Sequence, residues 1–282
     1  MNRLFSRICI GFALPVVAAC YAQQPVPPPQ AYAPHNKIFQ NGWLPQAKTP
    51  AEYQVYARAS EIADAGNAEK SAEQFATEYP DSELRYLLFS RVMRLYQEAN
   101  DGNGVLRNGR KVLTFHLNDP VALVMISTVL AEHTADNDPD KEVRFTEALE
   151  HARRAINNID TGLIVPPHTP DVKIQQAKNS LLSAAHASIG LIELLRGQDA
   201  EAERELHASL LAGNADPNPL TWLRLSLAQE HEKDYAAALT SVNQALLVAE
   251  PNGEVYTMAR QERERLQHLT GTEGSSRASA KK

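Results

Sequence analysis

Cysteine is nearly absent. The two in this chain of 282 residues are Cys9 and Cys20, both within the first twenty positions. The rest of the chain therefore has no disulfide framework and has to be held by packing. Aromatic residues are scarce at 6% while hydrophobic residues reach 43%. That balance disfavours a β-rich sandwich and favours helices packed through alanine and leucine. Beyond the N-terminal stretch there is no apolar run long enough to cross a bilayer. Positive charge is also short, with 28 Lys and Arg against 34 Asp and Glu, and Arg3 and Arg7 would be lost with a leader. General nucleic-acid binding needs a surplus of bases on one face, which argues against that class.

Reactive motifs are missing too. There is no G-x-S-x-G, H-E-x-x-H, C-x-x-C or phosphate loop ending in Lys-Ser or Lys-Thr. The glycine-rich GNGVLRNG from Gly102 has no strand before it and reads as a turn. His116, His133, His151, His168 and His186 recur every 17 or 18 residues, a spacing that puts about one on each successive helix. It lacks the i, i+4 pairing of a helical zinc site. Asp136, Asp138, Asp140 and Glu147 occupy places one, three, five and twelve of a calcium loop, but Lys141 stands where glycine is needed and Pro139 stiffens the string. A solvated acidic helix start accounts for it. We therefore expect no catalytic residues, no cofactor and no metal.

What is present begins with an export signal. Arg3 and Arg7 supply a positive start and ICIGFALPVVAA an apolar stretch, so residues 1–22 read as a leader. Two cleavage readings stand open. Val17, Ala18, Ala19 and Cys20 resemble a bacterial lipobox, which would place a lipid on Cys20, with Val17 where Leu is usual. The other cut falls after Ala22. Residues 23–48, beginning QQPVPPPQAYAP, read as an extended proline-rich linker. The expected location is exported: periplasmic or anchored to the outer membrane through Cys20, or else secreted.

The body, residues 49–269, carries helical periodicity throughout. Thr49 and Glu52 form a capping-box pattern with Pro50 in the first turn. A helix follows with Tyr53, Tyr56, Ala57 and Ser60 on one stripe, then a turn over Ala65, Gly66 and Asn67 and a second helix ending before Pro80. Phe89, Val92, Met93 and Tyr96 mark the next helix, and Val105, Gly109, Val112 and Leu113 its partner after a turn over residues 100–104. Val121–His133 opens a third unit, whose second helix carries Ala148, Leu149, Ala152, Ala155, Ile156 and Ile159. TGLIVPPHTP breaks the rhythm as a surface loop at residues 160–170. Asp171–Leu195 is unbroken helical pattern, with Gly190 at a close approach to a partner helix marked by Ala202, Leu206, Ser209 and Leu210. Val255–Leu269 closes the body, and residues 270–282 read as a disordered tail.

The clearest unit is PLTWLRLSLAQEHEKDYAAALTSVNQALLVAEP, from Pro219 to Pro251. Trp222, Leu225, Ser226 and Gln229, then Tyr235, Ala238, Leu239, Val242, Ala245 and Leu246, give two helices facing stripes. This resembles a tetratricopeptide repeat, with Gln229 in place of the usual Tyr, Ser226 in place of Gly, and Pro251 one residue late. FATEYPDSELR, closing an earlier unit, resembles a segment of bacterial envelope repeat proteins, including the outer-membrane barrel-assembly lipoproteins. The fold these resemblances imply is all-α: a right-handed α-solenoid of about five such pairs plus a C-terminal capping helix. No single pair can hide its stripe from water, so each buries the face its neighbour leaves open.

Repeats of this family hold a partner in a concave groove lined by each first helix. Carried over, that implies a protein or peptide partner on Leu87, Arg91, Arg94 and Gln97 in the second pair and Leu220, Arg224, Leu227 and His231 in the fifth. Arg91 and Arg94, one turn apart, suit a carboxylate or acidic segment. The function expected is a non-enzymatic interaction scaffold. Alternatives are a structural subunit of an outer-membrane or cell-wall assembly, and an accessory enzyme whose acid–base pair is scattered over several helices.

Overall fold

The structure, a computed structural model, describes residues 45–166, 168–213 and 215–279. The leader, Cys20 and most of the expected linker lie outside the described residues. Among the described residues the chain is all-α, with eleven helices in sequential pairs. We number them α1 (Pro50–Ser60), α2 (Ala65–Glu78), α3 (Leu84–Glu98), α4 (Gly102–Phe115), α5 (Pro120–His133), α6 (Lys141–Gly162), α7 (Asp171–Leu195), α8 (Asp199–Ala212), α9 (Pro219–His231), α10 (Tyr235–Val248) and α11 (Glu254–Ser279). The chain divides into two compact units, one ending at Leu181 and the other beginning at Leu182.

Short polar side chains set the helix starts. The capping box forms as expected: Thr49 Oγ1 accepts from Glu52 N at 3.1 Å, and Glu52 Oε2 accepts from Thr49 N at 3.3 Å. Asp64, Asp101, Asp119 and Asp234 each accept from the backbone N–H three residues on, at 2.8 to 3.0 Å. Pro50, Pro120 and Pro219 sit in the first turns of their helices, where no amide donor is needed. The three-residue links each spend one left-handed residue, Asn100 between α3 and α4, Gly197 between α7 and α8 and Lys233 between α9 and α10, and Asn252 does the same between α10 and α11.

These caps correct two sequence readings. The segments at Ala65–Asn67 and Gly102–Gly104, expected as turns, are the first turns of α2 and α4. The aspartates Asp64 and Asp101 start helices directly, and Asn100 alone absorbs the reversal between α3 and α4. The expected linker also ends earlier than residue 48. Pro45 and Ala47 are buried, and Gln46 N donates to Glu83 Oε2 at 3.3 Å. At the other end α11 continues past Leu269 to Ser279, where a disordered tail was expected; no proline stops it, and Thr270 Oγ1 bonds back to Leu266 O at 3.1 Å.

Unit 1 is pinned by both apolar and ionic contacts. Phe75, Leu84, Met93, Leu123, Ile126, Leu130 and Phe145 are fully buried. Gly104 lies so close to Tyr96 that an added Cβ would stand 2.2 Å from its ring, and at Gly109 a Cβ would meet Ile126 at 2.9 Å. Glu69 of α2 is buried beneath α3 and α4. It accepts from Tyr96 Oη at 2.6 Å, Arg107 Nη2 at 2.7 Å and Asn108 Nδ2 at 3.0 Å. The Arg107 hydrogen bond, against the opposing cost of burial and with help from Tyr96 and Asn108, lowers the Glu69 carboxyl to about 2. Beside this knot Phe89 and Phe115 stack at 6.1 Å, with Lys111 over one ring and Arg85 over the other, each at 4.9 Å.

Unit 2 follows the same plan. Gly190 takes the close approach expected of it, a Cβ there meeting Leu206 Cγ at 2.7 Å. Ala202, Leu206, Ser209 and Leu210 are all buried on α8. The two departures from the tetratricopeptide pattern are both bonded. Ser226 Oγ donates to Ala238 O at 2.9 Å; Gln229 donates to Glu203 at 2.9 Å and accepts from Ser241 Oγ at 2.7 Å. A buried polar bridge thus joins α9 to α8 and α10.

Candidate protein-binding face

In unit 1 the expected groove residues fall on one side of α3. Leu87, Arg91, Arg94 and Gln97 are separated by four, three and three positions, and all four are half-buried. That side of α3 meets α1. Arg91 Nη2 donates to Ile62 O, just beyond the end of α1, at 3.1 Å. Tyr53 and Tyr56 on α1 lie with ring centroids 6.4 Å apart, and Tyr56 makes an edge contact with Phe75 at 6.4 Å. Burial, reinforced by Tyr53 and opposed by Arg91 and Arg94, pushes the Tyr56 phenol up to about 12. It stays a neutral hydroxyl at any physiological pH. The face thus combines two tyrosines, two arginines, a leucine and a glutamine, all shared by two first-of-pair helices.

Unit 2 corrects its half of the expectation. Leu220, Arg224 and Leu227 are 5%, 3% and 3% exposed, and His231 is bonded through Nδ1 to Asp199 Oδ1 at 2.8 Å. The first three line no open wall, and His231 is half-buried and held by Asp199. The cause is readable in α9 itself: PLTWLRLSLAQEH is apolar around most of its circumference, and Leu223 to Gln229 are buried without a break. A helix apolar on all sides is covered on all sides, so a one-sided stripe was the wrong template there.

Acid–base pairs do occur in the structure, and each is built into a helix contact. Tyr86 Oη donates to Asp119 Oδ2 at 2.5 Å, with His116 Nδ1 at 3.6 Å from the same oxygen; all three residues are buried, and the other oxygen of Asp119 caps α5. His186 Nδ1 meets Glu205 Oε2 at 2.7 Å, and Arg204 holds the other oxygen at 2.8 Å. His151 is half-buried, and that burial lowers its pKa. A cleft of about 460 Å3 lies where the α3–α4 turn meets the end of α5, lined in part by Asp101, His133 and Arg144. Asp101 is engaged as the cap of α4, and Arg144 Nε stands 2.9 Å from Asp138. Leu106, Val129 and Leu130 at its floor are at most 9% exposed.

The calcium-like string is tied up in ion pairs. Asp136 pairs with Lys141 at 3.0 Å, Asp138 with Arg144 at 2.9 Å and Glu147 with Arg110 at 2.9 Å. Among the described residues no three His, Cys, Asp or Glu side chains converge as a metal set, and no helix is long and apolar enough to cross a membrane. Sequence reasoning missed Glu69 and its four donors, Tyr96, Arg107, Asn108 and Lys111, and it missed Glu262 on α11. The second had a signal: Met258, Ala259, Glu262 and Leu266 share one helical stripe, with an acid at a core position.

Neither a family model nor a curated protein matches the chain. Among solved structures it is similar to a thermophilic TPR protein of Thermus thermophilus. The identity is 15% and the TM-score 0.46, and the match covers 75% of this chain and 97% of that one.

Proposed function

We propose that this protein is an exported, non-enzymatic scaffold of tetratricopeptide type that holds a protein partner. The observation that carries the reading is the α1–α3 face of unit 1. Tyr53, Tyr56, Leu87, Arg91, Arg94 and Gln97 stand half-buried side by side there, a mixture of tyrosine and arginine with apolar stems that is enriched at protein interfaces. Supporting it, each acid–base pair described above is consumed in joining helices. Export rests on the leader at residues 1–22 and the proline-rich segment behind it, with a lipid on Cys20 or a cut after Ala22 as the two forms of the mature end.

The binding face is tested by pull-down from envelope extracts with wild type and with an Arg94→Glu, Leu87→Ala double variant, which spares the Arg91–Ile62 bond. Partners retained by the wild type should be lost from the variant while its helical circular dichroism is unchanged. Identical partner sets would count against the face. Mass spectrometry of the protein recovered from cells addresses export: a start at acylated Cys20 or at Gln23 supports it, and a retained Met1 opposes it.

A further inference from the structure

Glu262 has a side chain with no solvent exposure, on a helix whose neighbouring positions are rich in charge. Its surroundings are unusual for an acid. α11 packs on α10 and touches α9. From α9 the side that meets Glu262 supplies Glu230, whose side chain is itself only 11% exposed. A single guanidinium, Arg265, serves both carboxyl groups: it donates to Glu262 at 2.8 to 3.0 Å and also to Glu230.

Other charged groups lie on the same elements. His231 of α9 is bonded to Asp199, and Arg224 is six residues before Glu230, more than a turn and a half along the helix. α10 has no acid and no base, its one titratable residue being Tyr235 at its first position. Within α11, Arg263 and Glu264 follow Glu262 at about 100° and 200° around the axis. Two carboxyl groups, one without solvent exposure and the other 11% exposed, therefore share one guanidinium, whose own side chain is 44% exposed. Burial raises the Glu262 carboxyl above the ordinary carboxylate range; Arg265 opposes that shift and Glu230 adds to it.

We propose that α11 is a proton-controlled latch. With a proton on the Glu230–Glu262 pair it is held against α9 and α10, and once that proton is lost it loosens. A carboxyl held above its unfolded value contributes fully to the folded contact below that unfolded value, and the contribution is lost as pH rises from it through the folded one. Protonated, Glu262 can donate to its neighbour while Arg265 neutralises the remaining charge. Ionised, the two carboxylates compete for one cation. Loosening uncovers Met258, Ala259 and Leu266, the buried stripe of α11, so acidity sets how much of the terminal pair is open.

The test is hydrogen exchange of the full-length protein, followed by mass spectrometry over residues 254–271 from about pH 4 to about pH 8 and corrected for the intrinsic rate at each pH. Protection of α11 should fall by up to about tenfold per pH unit as pH rises from about 4.3, the free glutamate value, to the Glu262 midpoint and then level off, since one proton is linked to closing, while α9 changes less. In Glu262→Gln, which keeps a neutral hydrogen-bonding group, α11 should stay protected across the range. Protection in the wild type that does not change with pH, or the same slope in Glu262→Gln, would overturn the latch. Should that variant fold poorly, the Glu262 carboxyl carbon can be titrated directly by NMR in the wild type. A midpoint above about 4.3, the free glutamate value, supports the proposal; one at or below it refutes it.

Discussion

Tyr96 and Gly104 face each other across the α3–α4 turn with no room between them for a methyl group: a Cβ at Gly104 would lie 2.2 Å from the ring. The same tyrosine donates to Glu69 of the preceding pair at 2.6 Å. One side chain thus sets both the spacing within its own pair and the attachment to the one before.

Gly104→Ala should therefore destabilise unit 1 by about 1–3 kcal/mol, the usual cost of forcing extra volume into a packed core. Gly66→Ala makes the control. It also lies in a helix, but the nearest atom to its Cβ is 3.7 Å away, so relief of glycine's entropy should leave stability unchanged or raise it by up to about 1 kcal/mol. Urea unfolding of the two variants should give opposite signs or nearly so.

Acid should weaken unit 1 through Glu69. Its carboxyl is lowered to about 2 in the folded state, against about 4.3 unfolded. Its contribution is therefore complete above the unfolded value and is lost as pH falls toward the folded one. Glu69→Gln should be less stable at pH 7 and should show a shallower loss between about pH 4.3 and about pH 2. Parallel acid titrations of wild type and variant, at fixed denaturant, would show whether this step is missing.

The polar bridge in unit 2 should resist replacement by a tyrosine. Gln229 is 4% exposed and bonded to both Glu203 and Ser241. Gln229→Tyr would need room that the neighbouring side chains already fill and would strip both partners of their bonds. A cost of about 1–3 kcal/mol follows, read as a lower midpoint in the tryptophan signal from Trp222. A variant as stable as wild type would show that the bridge is replaceable.

Most of the fold was legible in the sequence because it depends on local rules. Periodic apolar positions located the helices, Asp171–Leu195 matched residue for residue, and Thr49 with Glu52 announced α1. Errors fell where two local signals conflict. At Gly102–Gly104 glycine suggested a turn while Asp101 offered a cap, and the cap prevailed because Asn100 had already reversed the chain. The candidate face was half legible. Spacing placed Leu87, Arg91, Arg94 and Gln97 together on α3, but a one-sided stripe was read onto α9, whose nearly continuous apolar sequence marks it as enclosed with Leu220, Arg224 and Leu227 buried. Glu69 depends on partners 27 to 42 residues away, and Arg265, which serves Glu262, reaches 35 positions back to Glu230. Helix periodicity does not span such distances.

The near-neutrality of α10 bears on where this chain can be shortened. A helix that reads YAAALTSVNQALLV has no ion of its own to keep it in solution, and Leu247 already stands 77% exposed at its end. A protein truncated just after Val248 would present a long greasy flank to every other copy, and it should clump at concentrations where the intact chain remains dispersed.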